Sequence, residues 1–221
     1  MKLQDFKVIF INPDHNEKYH KRKVYMEYFL KKLGFKDIVH YKSGNESYPQ
    51  CLTLATMDIL KQYMDIPFIL LEDDLEYTGE SLDISIENDV DAIYLGLGRS
   101  KADPIKNAND YYAIFEPHSD SMVRVINMLT AHAILFYSKR YKEALYNTLS
   151  REYKQFCCDI SMTHVQLYFK VLATKIPLFF QSNLFNAKDQ FDVQQTSKTQ
   201  IDNNCKLQKF ECPTWIGNYD S

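Results

Sequence analysis

Glu72, Asp73 and Asp74 stand in a row directly after Pro67-Phe68-Ile69-Leu70-Leu71. No other stretch of the sequence sets so much charge against so apolar a run. A short unbroken apolar run suits a strand covered on both faces, as in a parallel sheet. Acids at its carboxyl end then stand at the mouth of the sheet, where open α/β folds bind ligands. Carboxylates this close repel one another and raise each other's pKa. A divalent cation removes that cost, and hard oxygen donors suit Mg²⁺ or Mn²⁺. In an extended chain Glu72 and Asp74 share a side, and Asp73 points the other way unless a turn redirects it. Read alone, the stretch is either such a site or a solvated turn after a core strand.

Other residues could join it. Asn12, Asp14, His15 and Asn16 follow an apolar run, and His20, Lys21, Arg22 and Lys23 come one turn later. Main-chain N–H groups and cations at a helix start can hold a diphosphate, with one cation of the run facing the site. No Gly-rich fingerprint of the dinucleotide or P-loop kind accompanies them. Asp159 opens a helical stretch, where it could cap the helix or accept a proton from a hydroxyl. His164 lies about 140° further round that helix, so the spacing gives no reason to pair the two. His132 sits in an apolar stretch and reads as a core histidine. Tyr94-Leu95-Gly96 and Gly98-Arg99 end another strand, where the glycines read either as an ordinary turn or as a place where a ligand approaches the backbone.

The elements that must position these residues follow from periodicity. Phe6 to Ile11 reads as a strand closed by Asn12-Pro13-Asp14. Glu17 to Leu33 reads as a helix stopped by Gly34. Phe35 to Tyr41 is a second strand, and Pro49 to Met64 a helix with Pro in its first turn. With the acidic strand these make a βαβαβ unit on a parallel sheet. Asp91 to Leu97 and Ala131 to Tyr137 read as further strands, with Tyr111 to Glu116 and Met122 to Met128 as antiparallel additions. Gly98 to Asn109 reads as a mobile loop. A helix is expected over Lys139 to Leu149, another from Asp159 to about Ala173, and a last strand over Lys175 to Gln181. The expected fold is α/β, Rossmann-like, with a mostly parallel central sheet flanked by helices. Residues 1–185 form its one domain, and 186–221 an irregular tail packed on it or partly disordered.

Bulk properties narrow the classes. The chain has 221 residues, 45% apolar and 25% charged, with a net charge of −3. These values fit a soluble globular protein, and no basic excess exists to neutralise a nucleic-acid backbone. No apolar run approaches the ~18 residues that span a bilayer. Met1 to Lys7 lacks a signal-like apolar region, and five Cys show no paired CxxC spacing. A cytoplasmic protein with no zinc or disulfide framework is the expectation.

The order of these motifs resembles the family-25 glycosyltransferases, which include lipooligosaccharide galactosyltransferases and the domains that glycosylate collagen hydroxylysine. The matching segments are Ile11-Asn12 before a basic helix, Leu71-Glu72-Asp73-Asp74, Tyr94-Leu95-Gly96, His132-Ala133, Asp159 at a helix start, and Ile176 to Gln181. The likeness spans about Phe6 to Asn183. Glycosyltransferases of large algal viruses, with the same compact GT-A architecture, are a similar, weaker match. The resemblance implies a GT-A-type fold and a metal-dependent transferase using a nucleotide-diphosphate sugar, a UDP-sugar in preference, on a hydroxyl of a glycan or glycoprotein. It implies Mn²⁺ or Mg²⁺ on Asp74, with Glu72, and Gln181 where the family has a late His. Ile11, Asn12, Pro13, Arg22, Ser43, Glu72 and Asp73 would hold the donor. Tyr94, Gly96 and Arg99 would meet the acceptor. Asp159 would be the general base of an inverting displacement. Two readings stand beside it: a Mg²⁺-dependent phosphoryl- or nucleotidyl-transfer enzyme on the same acidic strand end, and a non-catalytic sugar- or protein-binding module.

Overall fold

The computed structural model describes residues 1–44, 46–98, 100–102, 112–181 and 199–209. Twelve strands and four α-helices lie among them. The first half alternates strand and helix: β1 (Lys7–Asn12), α1 (Glu17–Lys32), β2 (Ile38–Lys42), α2 (Gln50–Gln62), β3 (Phe68–Leu71). Next come β4 (Leu75–Tyr77), β5 (Ala92–Tyr94), β6 (Ile114–Pro117), β7 (Met122–Asn127) and β8 (Ala133–Phe136). Then follow α3 (Lys139–Glu152), α4 (Cys158–Gln166), β9 (Val171–Thr174), β10 (Phe179–Gln181), β11 (Thr199–Ile201) and β12 (Leu207–Lys209).

Eight strands form the central sheet in the order β2-β1-β3-β8-β5-β9-β7-β6. The pairings set β2, β1, β3, β5, β9 and β6 in one direction and β8 and β7 in the other. The fold is therefore α/β with a mostly parallel sheet and antiparallel additions. Both faces are covered, which is why β1 reads as a continuous apolar run. Ile9 and Ile11 turn to the layer of α2, α3 and α4, while Val8 and Phe10 turn to α1. That alternation is the period of two that a strand imposes.

Local signals place the helix ends. The Asn16 side chain accepts from the N–H of Tyr19 at the start of α1, and Ser138 does the same for Tyr141 at α3. Such caps satisfy donors that the first helical turn leaves free. Past α1, Gly34 adopts φ +87°, a left-handed conformation that a side chain would oppose.

Several expectations are corrected. The helix from Asp159 ends at Gln166, and Val171–Thr174 is a buried central strand. Its four apolar-leaning residues carry no period that separates strand from helix. Cys157, not Asp159, is the N-cap of α4. Pro177 precedes the strand expected to be last, β10, which starts at Phe179 and pairs with β4 as a separate two-stranded ribbon. Within the stretch expected to be irregular, β11 and β12 form a hairpin, and Ile201 is buried against the core. The loop expected from Gly98 to Asn109 and the rest of the tail lie largely outside the described residues. No helix among the described residues is long and apolar enough to cross a membrane.

Candidate active site

Three parallel strands end at one rim, and β8 enters from the opposite direction between β3 and β5. The carbonyl of His132, just before β8, accepts from the N–H of Glu72 at 2.9 Å. One residue on, the Ala133 carbonyl accepts from Leu95 N–H. The ends of β3 and β5 are thereby pinned to one element. On the other side the β4–β10 ribbon sets Gln181 opposite Leu75, and Gln181 Nε2 donates to Glu72 Oε2 at 3.0 Å.

The chain turns sharply after Glu72, and the three acids part company. Asp73 is 7% exposed and faces α1. Its Oδ1 accepts from Arg22 Nη1 at 2.9 Å, and its Oδ2 accepts from Asn12 Nδ2 at 2.6 Å. Arg22 Nη2 also stands 3.5 Å from Asp74 Oδ2. A buried guanidinium thus holds two of the acids. Its neighbours in the basic run pair outward: Lys23 and His20 with Asp14, and Lys21 with Glu17. One cation of the run faces the site, as the helical spacing allows.

The electrostatics follow from this placement. Burial, then the charges of Asp74, Asp73 and Asp159, push the Glu72 carboxyl up to about 8. Burial also raises Asp73, to about 6, against the pull of Arg22 and Asn12. Asp159 is raised by burial and held down in part by the N–H of Ile160, which its Oδ1 accepts at 2.9 Å. Its charge is felt at Glu72 and at Tyr48, so it stands on the same side of the molecule.

A cleft of about 300 Å³ opens over these acids. Its walls include Ile11, Pro13, Arg22, Ser43, Glu72, Asp73, Asp74 and Gln181. Asn12 lies beneath, fully buried. All seven residues expected to hold a donor, and the three expected to hold a metal, are therefore at or under one cleft. Asp159 is not part of its walls. The sequence reading missed Lys18, Tyr19, Tyr48, Cys51 and Leu52, which complete it. The signal lay in position: loops after the first two strands of a parallel sheet open on the carboxyl rim. A larger cavity of about 540 Å³ lies elsewhere and contains none of the expected residues. The smaller cleft is the candidate because the perturbed acids converge on it.

The acceptor residues are corrected in part. Tyr94 is fully buried, and its hydroxyl accepts from Gln166 Nε2 at 2.8 Å. A core phenol satisfied in this way meets no acceptor. Gly96 is also buried, and a Cβ there would come within 1.9 Å of His132 Nε2. Its smallness makes room for a histidine, which is itself hydrogen-bonded to Thr130. Arg99 lies outside the described residues.

Among the described residues, no three His, Cys, Asp or Glu side chains stand close enough to hold a cation by themselves. The donors at hand are the carboxylates of Glu72 and Asp74 and the amide of Gln181. They are hard oxygen donors of the kind that bind Mg²⁺ or Mn²⁺ jointly with the phosphates of a substrate. Such a set would hold a cation only with oxygens from a ligand to complete it.

No protein-family model matches the chain, and no curated protein does. Among solved structures it is similar to a glycosyltransferase involved in the glycosylation of the major capsid of PBCV-1, with a TM-score of 0.43 at 9% identity over 73% of this chain and 76% of that one. It is similar also to a protein from STIV, with a TM-score of 0.42 at 9% identity over 93% and 94%. A third is the CTP:phosphocholine cytidylyltransferase from Streptococcus pneumoniae, with a TM-score of 0.37 at 8% identity over 83% and 97%.

Proposed function

We propose that the chain is a metal-dependent glycosyltransferase. It moves a sugar from a nucleotide-diphosphate donor, a UDP-sugar in the first instance, to a hydroxyl of a glycan or glycoprotein, with inversion. One observation carries the reading: Glu72, Asp73 and Asp74 converge on one cleft, and burial with mutual repulsion drives the Glu72 carboxyl to about 8. Arg22 offsets Asp73 and part of Asp74, and the remaining repulsion between Glu72 and Asp74 is unfavourable unless a further cation joins them.

Asp74 and Glu72, with the Gln181 amide, would hold Mn²⁺ or Mg²⁺. Bound there, the ion would offset charge developing on the leaving diphosphate. Arg22 keeps Asp73 paired and Asp74 turned toward the cleft. Tyr19 and Tyr48 offer rings to a nucleobase, and Lys18 offers a cation to phosphate. Asp159 would take the proton of the acceptor hydroxyl as that oxygen attacks the anomeric carbon. A carboxylate whose pKa is raised by burial is a better base near neutral pH than an ordinary one. Residues 1–185 would form the transferase domain, acting in the cytoplasm on a soluble or peripheral acceptor.

The test is nucleotide release from UDP-sugars with Mn²⁺ and a panel of glycan acceptors. The wild-type chain should release UDP, and Asp74→Asn should not. Asp159→Asn should keep donor binding and lose about a hundredfold in turnover. Full turnover in Asp159→Asn removes that residue from the base role. Consumption of a nucleoside triphosphate in place of a nucleotide sugar moves the chemistry to nucleotidyl transfer.

A further inference from the structure

The larger cavity, of about 540 Å³, lies at the far end of the β4–β10 ribbon from the acidic cleft. The loop after β4, the turn before β7, the end of β9 and the β11–β12 hairpin enclose it. Nothing in the proposed reaction uses it, and its existence does not depend on that reading.

Its chemistry is unlike that of the acidic cleft. Ile84, Met122 and Leu178 make an apolar floor. Over the floor stand amides, hydroxyls and carboxylates, among them Gln200, Ser121 and Asp120. Two further acids are already engaged. Asp83 pairs with the amino terminus at 3.2 Å, and Asp202 accepts from the N–H groups of Asn204 and Lys206 in its own turn. Lys175 is the one cation among the described walls, and it reaches Asn203 at 3.4 Å. The cavity therefore offers many neutral donors and acceptors and, with four carboxylates against one lysine, no net positive charge.

Thr174 points to a ligand. It is 6% exposed, and its Oγ1 is buried with no hydrogen-bond partner among the described residues. Alternation along β9 turns Thr174 to the face of Leu172, where Met122 and Leu178 form the floor. A buried hydroxyl left unsatisfied is costly, and native structures rarely keep one without reason. The residue that carries it lines a cavity with room for a small ligand.

We propose that this cavity binds a neutral carbohydrate. A pyranose has an apolar face of C–H groups and a rim of hydroxyls that both donate and accept. The apolar floor matches the face, and the amide, hydroxyl and carboxylate walls match the rim. Thr174 Oγ1 then gains its missing partner. A phosphorylated or sulfated ligand would lack the cations it needs. A polyamine would find only Glu80 and Asp120 as acids not already engaged among the described walls.

Saturation-transfer NMR on the full chain tests the inference, with a panel of neutral mono- to trisaccharides at millimolar concentration. At least one sugar should bind. Asp120→Ala and Gln200→Ala should each weaken it by about tenfold, the value of one lost hydrogen bond to a partly charged or amide group. Thr174→Val keeps the shape and removes the hydroxyl. It should weaken the sugar while leaving the melting midpoint of the free protein unchanged or higher. Three results overturn the proposal: no saccharide binds, a saccharide binds all three variants as it binds the wild type, or spermine or phosphate binds the cavity in preference.

Discussion

Arg22 carries more of the site than its place in a basic run suggests. Its guanidinium is sealed between Asp73 and Asp74, with the whole residue 5% exposed. Removing one partner of a buried pair leaves an uncompensated charge, which costs about 3–5 kcal/mol. Arg22→Met should therefore lower unfolding stability by that amount in urea, whereas Lys21→Met, on the exposed side of the helix, should change it by less than about 0.5 kcal/mol. Tyr94 makes the opposite case. Its hydroxyl belongs to the core, so Tyr94→Phe should cost about 1 kcal/mol of stability and leave the KM for acceptor unchanged. A raised acceptor KM would return Tyr94 to the binding site. At this scale the sequence revealed residue types well and directions badly. The acids were legible because charge beside an apolar run is rare, Arg22 because a basic run one turn into a helix turns one cation inward, and Gln181 only through the resemblance, where the family has a late His. That Tyr94 points into the core was not, because a strand end presents alternate residues to opposite faces and the register was unknown.

The elements show what spacing could and could not reveal. The βαβαβ half was legible because caps, glycine and apolar period all agree there. Two pieces were not. β8 runs antiparallel between two strands that share a direction, and no local pattern encodes a neighbour's direction. β9 is four buried residues, too short for a period to decide. Yet β8 fixes the rim, since His132 binds Glu72 through its carbonyl and packs its ring over Gly96. Adding a methyl group at Gly96 forces that buried imidazole aside, and overpacking of this kind costs about 1–3 kcal/mol. Gly96→Ala should thus lower the thermal midpoint and, by shifting β8, weaken nucleotide binding as well. A variant with wild-type stability would show that the rim tolerates movement.

The whole molecule bears the cost of holding its acids together, and pH reveals it. A carboxyl raised in the folded state stabilises fully below its ordinary pKa and loses that contribution as pH rises through the folded value. For Glu72 the loss runs from about 4.5 to about 8, and for Asp73 it is complete by about 6. His132 works against it at the low end: burial lowers its pKa to about 4, so stability is gained as pH rises toward 6.5. The clear window is therefore above about 6.5, where the metal-free protein should lose thermal stability up to pH 8. Mn²⁺ should remove most of that loss, and a flat profile would show that the acids are better solvated than their burial indicates. The most direct measurement is calorimetric titration of UDP into the protein at pH 7.5, with Mn²⁺ and with a chelator, for the wild type and for Asp74→Asn. The account predicts binding to the wild type only with the metal, and to the variant under neither condition. Equal UDP affinity with and without Mn²⁺, or in the variant, would contradict it.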